Sequence, residues 1–185
     1  MNSIKSLTLL FTFLIILIIS GCSTSKVDDA VKIDEFINAP TWVNTKQLEG
    51  KISELGSSSK NELTFVEQRD FALNNAKESL SNKLQVKIIN IFKLLKDPNV
   101  DEAVYEKKVS DETNTMLSNA LRDSKIMKLW QSDTKTIYVL VSTDIQKIKE
   151  YFKIALKTTF KDMDAISSNY ILELEKGNID IQLSN

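Results

Sequence analysis

Residues 125–144, KIMKLWQSDTKTIYVLVSTD, constrain the fold more than any other stretch. Two β-rich runs, roughly Lys125 to Ser132 and Thr136 to Ser142, flank the short polar turn Asp133-Thr134-Lys135, the signature of a hairpin. Strand side chains alternate between faces, so Ile137, Val139 and Val141 point one way and Tyr138 and Leu140 the other. Both faces of the second strand are therefore apolar, and both must be covered. Helices can cover one; Trp42, Trp130 or another subunit are the candidates for the second.

The helices are legible from apolar spacing. From Leu63 to Leu84 the residues Val66, Leu73, Ala76, Leu80 and Leu84 recur at spacings of three, four or seven, after a polar cluster, Ser57 to Asn61, that offers N-caps. Ala72 and Ala76 let a neighbouring surface approach closely. A second helix is expected from Pro98 to about Leu121, with Asp97 as N-cap and Val104, Val109, Met116, Leu117, Ala120 and Leu121 for its buried side. Thr143-Asp144 caps a third, whose stripe is Ile145, Ile148, Phe152, Ala155, Leu156, Phe160 and Met163. That helix is expected to run on toward Lys176, before Gly177 and the alternating tail NIDIQLSN.

Lys51 to Ser57 reads as a weak strand with Ile52 and Leu55 as its apolar residues. Gln85 to Leu95, QVKIINIFKLL, is ambiguous between strand and helix, and its β-branched content favours a strand, with Val86, Ile88, Phe92 and Leu94 on one face. The expectation is an α+β fold in which a small antiparallel sheet of about four strands packs against two or three long helices, in the order β-α-β-α-β-β-α. With 185 residues, 42% apolar and 26% charged, the chain has material for one core.

The N-terminus has a different logic. Met1 to Lys5 carry one positive charge, and Leu7 to Ile19 form an apolar run broken only by two threonines. Ser20-Gly21 then supply small residues before Cys22, the only cysteine in the chain. This is the layout of a secretory signal, and the run is shorter than the ~20 residues that a membrane-spanning helix needs. Ile19-Ser20-Gly21-Cys22 resembles the lipobox of bacterial lipoproteins. The resemblance implies cleavage between Gly21 and Cys22, and acyl chains such as palmitate on Cys22. Residue 23 is Ser where an Asp favours inner-membrane retention, so it also implies sorting to the outer membrane, facing either the periplasm or the outside. The chain accordingly divides into a signal peptide (1–21), a polar tether (22–38), an α+β domain (39–145), and a C-terminal helix and tail (146–185).

Composition narrows the chemistry. There are no histidines, which removes the commonest general base, zinc ligand and triad member. The formal charge is −1 with the signs interspersed, so the phosphate-neutralising stripe of a nucleic-acid binder is missing from the pattern. Asp97, Asn99 and Asp101 alternate like the start of a calcium loop, but Glu102 stands where glycine is needed and Lys108 where a bidentate Glu belongs. The carboxylate pairs Glu173/Glu175 and Asp162/Asp164 are spaced by two, which on a helix turns the side chains about 200° apart, poor for acid–base cooperation. No catalytic residue, metal site or cofactor is expected.

Pro40 and Trp42, Leu55-Gly56 before the first long helix, Ala72 and Ala76 within it, and Trp130 with Tyr138-Val139-Leu140-Val141 together carry a second resemblance. Over about Ala39 to Asp144 the chain resembles the Lpp-twenty family of small outer-membrane lipoproteins. The resemblance implies a dodecin-like sheet backed by helices, membrane association or surface exposure, and, through some relatives, a link to flagellar outer-membrane structures. It carries over no catalytic residue, only the lipidated Cys22. The sequence thus points first to a non-enzymatic, lipid-anchored structural or assembly module of the cell envelope. Its expected partners are the membrane through Cys22, further copies of itself, and envelope or flagellar proteins. The alternative is a lipid-anchored binding protein for a small apolar ligand.

Overall fold

The computed structural model describes residues 35–96 and 100–160. Cys22, Gly21, Asp97, Asn99, Asp162, Asp164, Met163, Glu173 and Glu175 lie outside them; the last helix, expected to run on toward Lys176, ends within them at Thr158, with Thr159 as its C-cap. In chain order the elements are α1 (Thr41–Thr45), β1 (Lys51–Ser58), α2 (Phe65–Leu94), α3 (Glu102–Asp123), β2 (Lys125–Gln131), β3 (Ile137–Asp144) and α4 (Ile145–Thr158). The class is α+β, as the patterning implies.

Among the described residues the sheet has three antiparallel strands in the order β1-β3-β2, so the expected four is corrected to three. The missing strand is Gln85–Leu95, which is the end of the 30-residue α2. The physical reason is continuity of register. Ala72, Ala76, Leu80, Leu84 and Ile88 are buried at spacings of four, and Ile91, Phe92 and Leu95 extend the same stripe. With no Gly or Pro between Leu84 and Leu95, nothing interrupts propagation, and each buried aliphatic or aromatic side chain contributes about 1.5–3 kcal/mol. That outweighs a β-propensity scale spanning only about 1 kcal/mol. Val86 and Leu94, assigned to a strand face with Ile88 and Phe92, are exposed instead. The order is therefore β-α-α-β-β-α after the short α1, and α2 with α3 forms a helical pair.

Helix starts also shift. Thr64, not the Ser57–Asn61 cluster, caps α2: its backbone N–H donates to Glu67 Oε2 at 2.8 Å while Glu67 N–H donates to Thr64 Oγ1 at 3.3 Å. α3 begins at Glu102 with Asp101 as cap, accepting from Val104 N at 3.1 Å, rather than at Pro98. A start there leaves Val104 exposed and buries Tyr105 in its place. Val66, at the exposed first turn of α2, likewise stays out of the core. Asp144 caps α4 as the sequence indicates, accepting from Gln146 N at 2.9 Å.

The core lies between the sheet and the long helices. Ile137, Val139 and Val141 meet α2, and α4 adds Ile148, Phe152, Ala155 and Leu156 to the same core, so residues 146–160 share it with the 39–145 domain. Phe92 anchors an aromatic cluster, with ring centroids 5.2 Å from Phe152 and 5.0 Å from Phe160. The closest approach is at Gly56 on β1. A Cβ there would sit 2.1 Å from Ala72 O and 2.2 Å from Ala76 N, so only glycine lets strand and helix backbones touch.

Candidate functional site

The second face of the sheet is where the chain departs from a plain two-layer domain. Residues 35–46 form a strap across it. Glu35 Oε1 accepts from Tyr138 Oη at 2.9 Å and Ser132 Oγ at 3.0 Å. Phe36 packs on Tyr138 with centroids 5.9 Å apart, and Lys46 closes the strap by accepting a short bond from Ser53 Oγ on β1. Val43 of α1 is buried, whereas Trp42 is only half-buried. The strap thus covers Tyr138, and Trp130 contributes from β2 by stacking on Tyr138 at 5.3 Å.

Titration follows this geometry. The Thr136 hydroxyl, followed by those of Tyr138, Thr134 and Ser132, holds the Glu35 carboxyl below the usual carboxylate range against a smaller burial penalty. Burial first, and the Glu35 bond second, push Tyr138 up to about 12. The network fixes the strap on the hairpin; its hydroxyl donors are spent on one carboxylate.

Cover stops at β2. Six of its seven residues are exposed, and Ile126, Met127 and Leu129 are 46%, 37% and 42% exposed. β2 pairs with β3 on one side only and is an edge of the sheet. Its register slips between Ile126 and Lys128, a bulge that leaves Lys128 to Gln131 as the regular stretch. Phe36 and Ile37 of the strap add 47% and 72% exposed apolar side chains. The hairpin is legible in sequence; that β2 is an uncovered edge is not.

A second concavity, a cleft of about 230 Å³, lies between α2 and α3. Ile89 and Val109 give it apolar walls, with Gln85, Lys93, Tyr105 and Thr113 also lining it. Thr113 Oγ1 has no hydrogen-bond partner, but the atom is sealed from solvent and offers nothing to an occupant. Tyr105 donates its hydroxyl to Phe92 O in a short bond, and burial pushes its pKa up to about 12. No local pattern announces this cleft, because its walls come from two helices whose pairing depends on α2 running to Leu94.

Elsewhere, Asp123 accepts from Lys147 Nζ and Tyr151 Oη, both at 2.7 Å. The Lys147 bond, then the Tyr151 bond, lowers the Asp123 pKa, and the Asp123 bond raises that of Lys147. This trio, with Lys147 exposed and Asp123 and Tyr151 partly buried, ties the end of α3 to α4. Asp101, from the calcium-like motif, is committed to capping. Among the described residues no group of three or more His, Cys, Asp or Glu is placed to hold a metal, and no helix is long and apolar enough to cross a membrane. Neither a protein-family model nor a curated protein matches the sequence.

Proposed function

We propose that the chain is a lipid-anchored lipoprotein of the outer membrane that acts as a non-enzymatic structural or assembly module of the cell envelope. The observation that carries the assembly role is the uncovered β2 edge with Ile126, Met127 and Leu129 exposed. Such edges are normally blunted or paired; the bulge with Lys125 and Lys128 blunts the first half of β2, and Leu129 to Gln131 keep a regular edge open to pairing. The anchor rests on the lipobox at Ile19–Cys22, and the non-enzymatic reading on a chain without histidine or a recognisable nucleophile motif. The dodecin-like arrangement implied by the family resemblance would apply to the three strands and α2, and a role in flagellar or surface structures belongs to the same reading.

The anchor has a geometric consequence. Twelve residues separate Cys22 from Glu35, a reach of at most roughly 45 Å. Glu35 is bonded to Ser132 and Tyr138, so the tether starts at the turn end of the β2–β3 hairpin on the strap face. Two or three acyl chains give stable attachment where one gives reversible binding. The test is acyl labelling with membrane fractionation in a bacterial host: the native chain is expected to carry label in the outer-membrane fraction, and Cys22→Ala to lose both. An unlabelled native chain in the soluble fraction would sink the anchor.

The α2–α3 cleft favours one other reading, a lipid-anchored carrier of a small apolar ligand held against Ile89 and Val109. Native mass spectrometry separates the two: a stoichiometric bound small molecule supports the carrier.

A further inference from the structure

We propose that β2 pairs antiparallel with β2 of a second copy of this chain, joining two three-stranded sheets into one of six strands with Leu129 at the two-fold axis. The inference rests on the assembly reading above and names its partner and register.

The register follows from side-chain chemistry. A two-fold axis normal to the sheet keeps each side chain on its own face, so a residue of β2 must lie opposite itself. Centring on Lys128 would place two ammonium groups on side chains about 4.5–5.5 Å apart, which is repulsive, and would draw the bulge into the ladder. Centring on Trp130 would set Leu129 against Gln131 and leave Ile126 and Met127 unpaired. Centring on Leu129 sets it against the second copy's Leu129 on the helix-facing side. Lys128 then lies opposite the second copy's Trp130, twice by symmetry, and the three central pairs fall in the regular stretch beyond the bulge.

That pairing gives Lys128 a partner. β2 carries Lys125 and Lys128 and no acidic residue, so a second β2 lacks the usual partner for a lysine. Trp130 supplies one: its indole, held by stacking on Tyr138, is the best aromatic acceptor for an ammonium. Leu129, Ile126 and Met127 lose water in the same contact. The axis also leaves both straps on one face of the joined sheet, because Glu35 and Phe36 lie on the Tyr138 side, opposite the helices. Both tethers would therefore leave from the same side, as two copies anchored in one membrane require, and anchoring raises their effective concentration.

The experiment is disulfide trapping with the full chain in membranes, adding one cysteine at a time at Leu129, Lys128 or Ile154, the last exposed on α4, with the native chain as the control for cross-links through Cys22. Leu129→Cys is expected to form a homodimeric cross-link under mild oxidation at least several-fold faster than Lys128→Cys or Ile154→Cys. Lys128→Cys mixed with Trp130→Cys is expected to cross-link where neither does alone. Faster homodimeric trapping at Lys128 would overturn the register, and trapping only at Ile154, only to a different protein, or nowhere would overturn the pairing. Fractionation of the same samples reads the anchor separately: dimer without membrane attachment sinks the anchored reading and keeps the pairing, and attachment without dimer does the reverse.

Discussion

β1 and β2 flank the same strand, β3, yet one is clamped and the other bare. β1 is held along its length: Gly56 touches the α2 backbone, Glu54 pairs with Lys83 at 2.8 Å, and Asn75 Nδ2 donates to Ser57 O at 2.9 Å. Below it, the strap accepts from Ser53. β2 carries four apolar residues in seven, more than β1 with two, and is mostly exposed. Apolar content therefore does not predict which strand is covered. The deciding quantity is how closely a helix can approach, and at β1 a glycine facing two alanines sets that distance.

The sharpest way to break this contrast is Gly56→Ala. The added methyl would meet backbone atoms, Ala72 O and Ala76 N, which no rotamer change can move aside. Overpacking commonly costs about 1–3 kcal/mol, and a backbone clash should exceed that upper value. Urea titration followed by circular dichroism should show the loss; an unchanged midpoint would mean that α2 can lift from β1 without penalty.

Tyr138→Phe tests the strap. It removes one donor to Glu35 while keeping the ring on Phe36 and Trp130. The expected loss is about 1–2 kcal/mol at neutral pH. The sign with pH is fixed by the raised pKa of Tyr138: its contribution is complete below the ordinary tyrosine value near 10 and is lost as pH rises toward about 12. The variant should thus show a shallower alkaline decline, with Tyr105, also at about 12, and the raised Tyr151, Lys147 and Lys107 supplying the remainder. Identical alkaline slopes in the two chains would detach the strap bond from stability.

The smallest effect belongs to β2. Leu129→Thr removes an exposed apolar side chain and keeps strand propensity, so the stability of the monomer should stay within about 0.5 kcal/mol. A loss above 1.5 kcal/mol in dilute monomer would mean that β2 is already buried by its own chain, erasing the contrast with β1.

Local chemistry made part of this molecule readable. The hairpin turn, the β3 alternation, the Asp144 cap and the α4 stripe are set by residues within a few positions of one another, and the small pair Ala72–Ala76 announced a close approach. The length of α2 was harder. Residues 85–95 satisfy strand and helix patterns alike, and only contacts with residues distant in sequence, such as Phe92 with Phe152 and Tyr105 with Phe92, select the helix. The α2–α3 cleft inherits that dependence.

That β3 is apolar on both faces and needs two covers follows from strand periodicity alone, which dictates which side chains point where. The tertiary structure decided what the covers are: α2 and α4 on one face, the strap from Glu35 to Lys46 on the other. It also decided that neither reaches across β2. Burial is a property of surfaces brought together from distant parts of the chain, and the chain carries no local record of where its helices end.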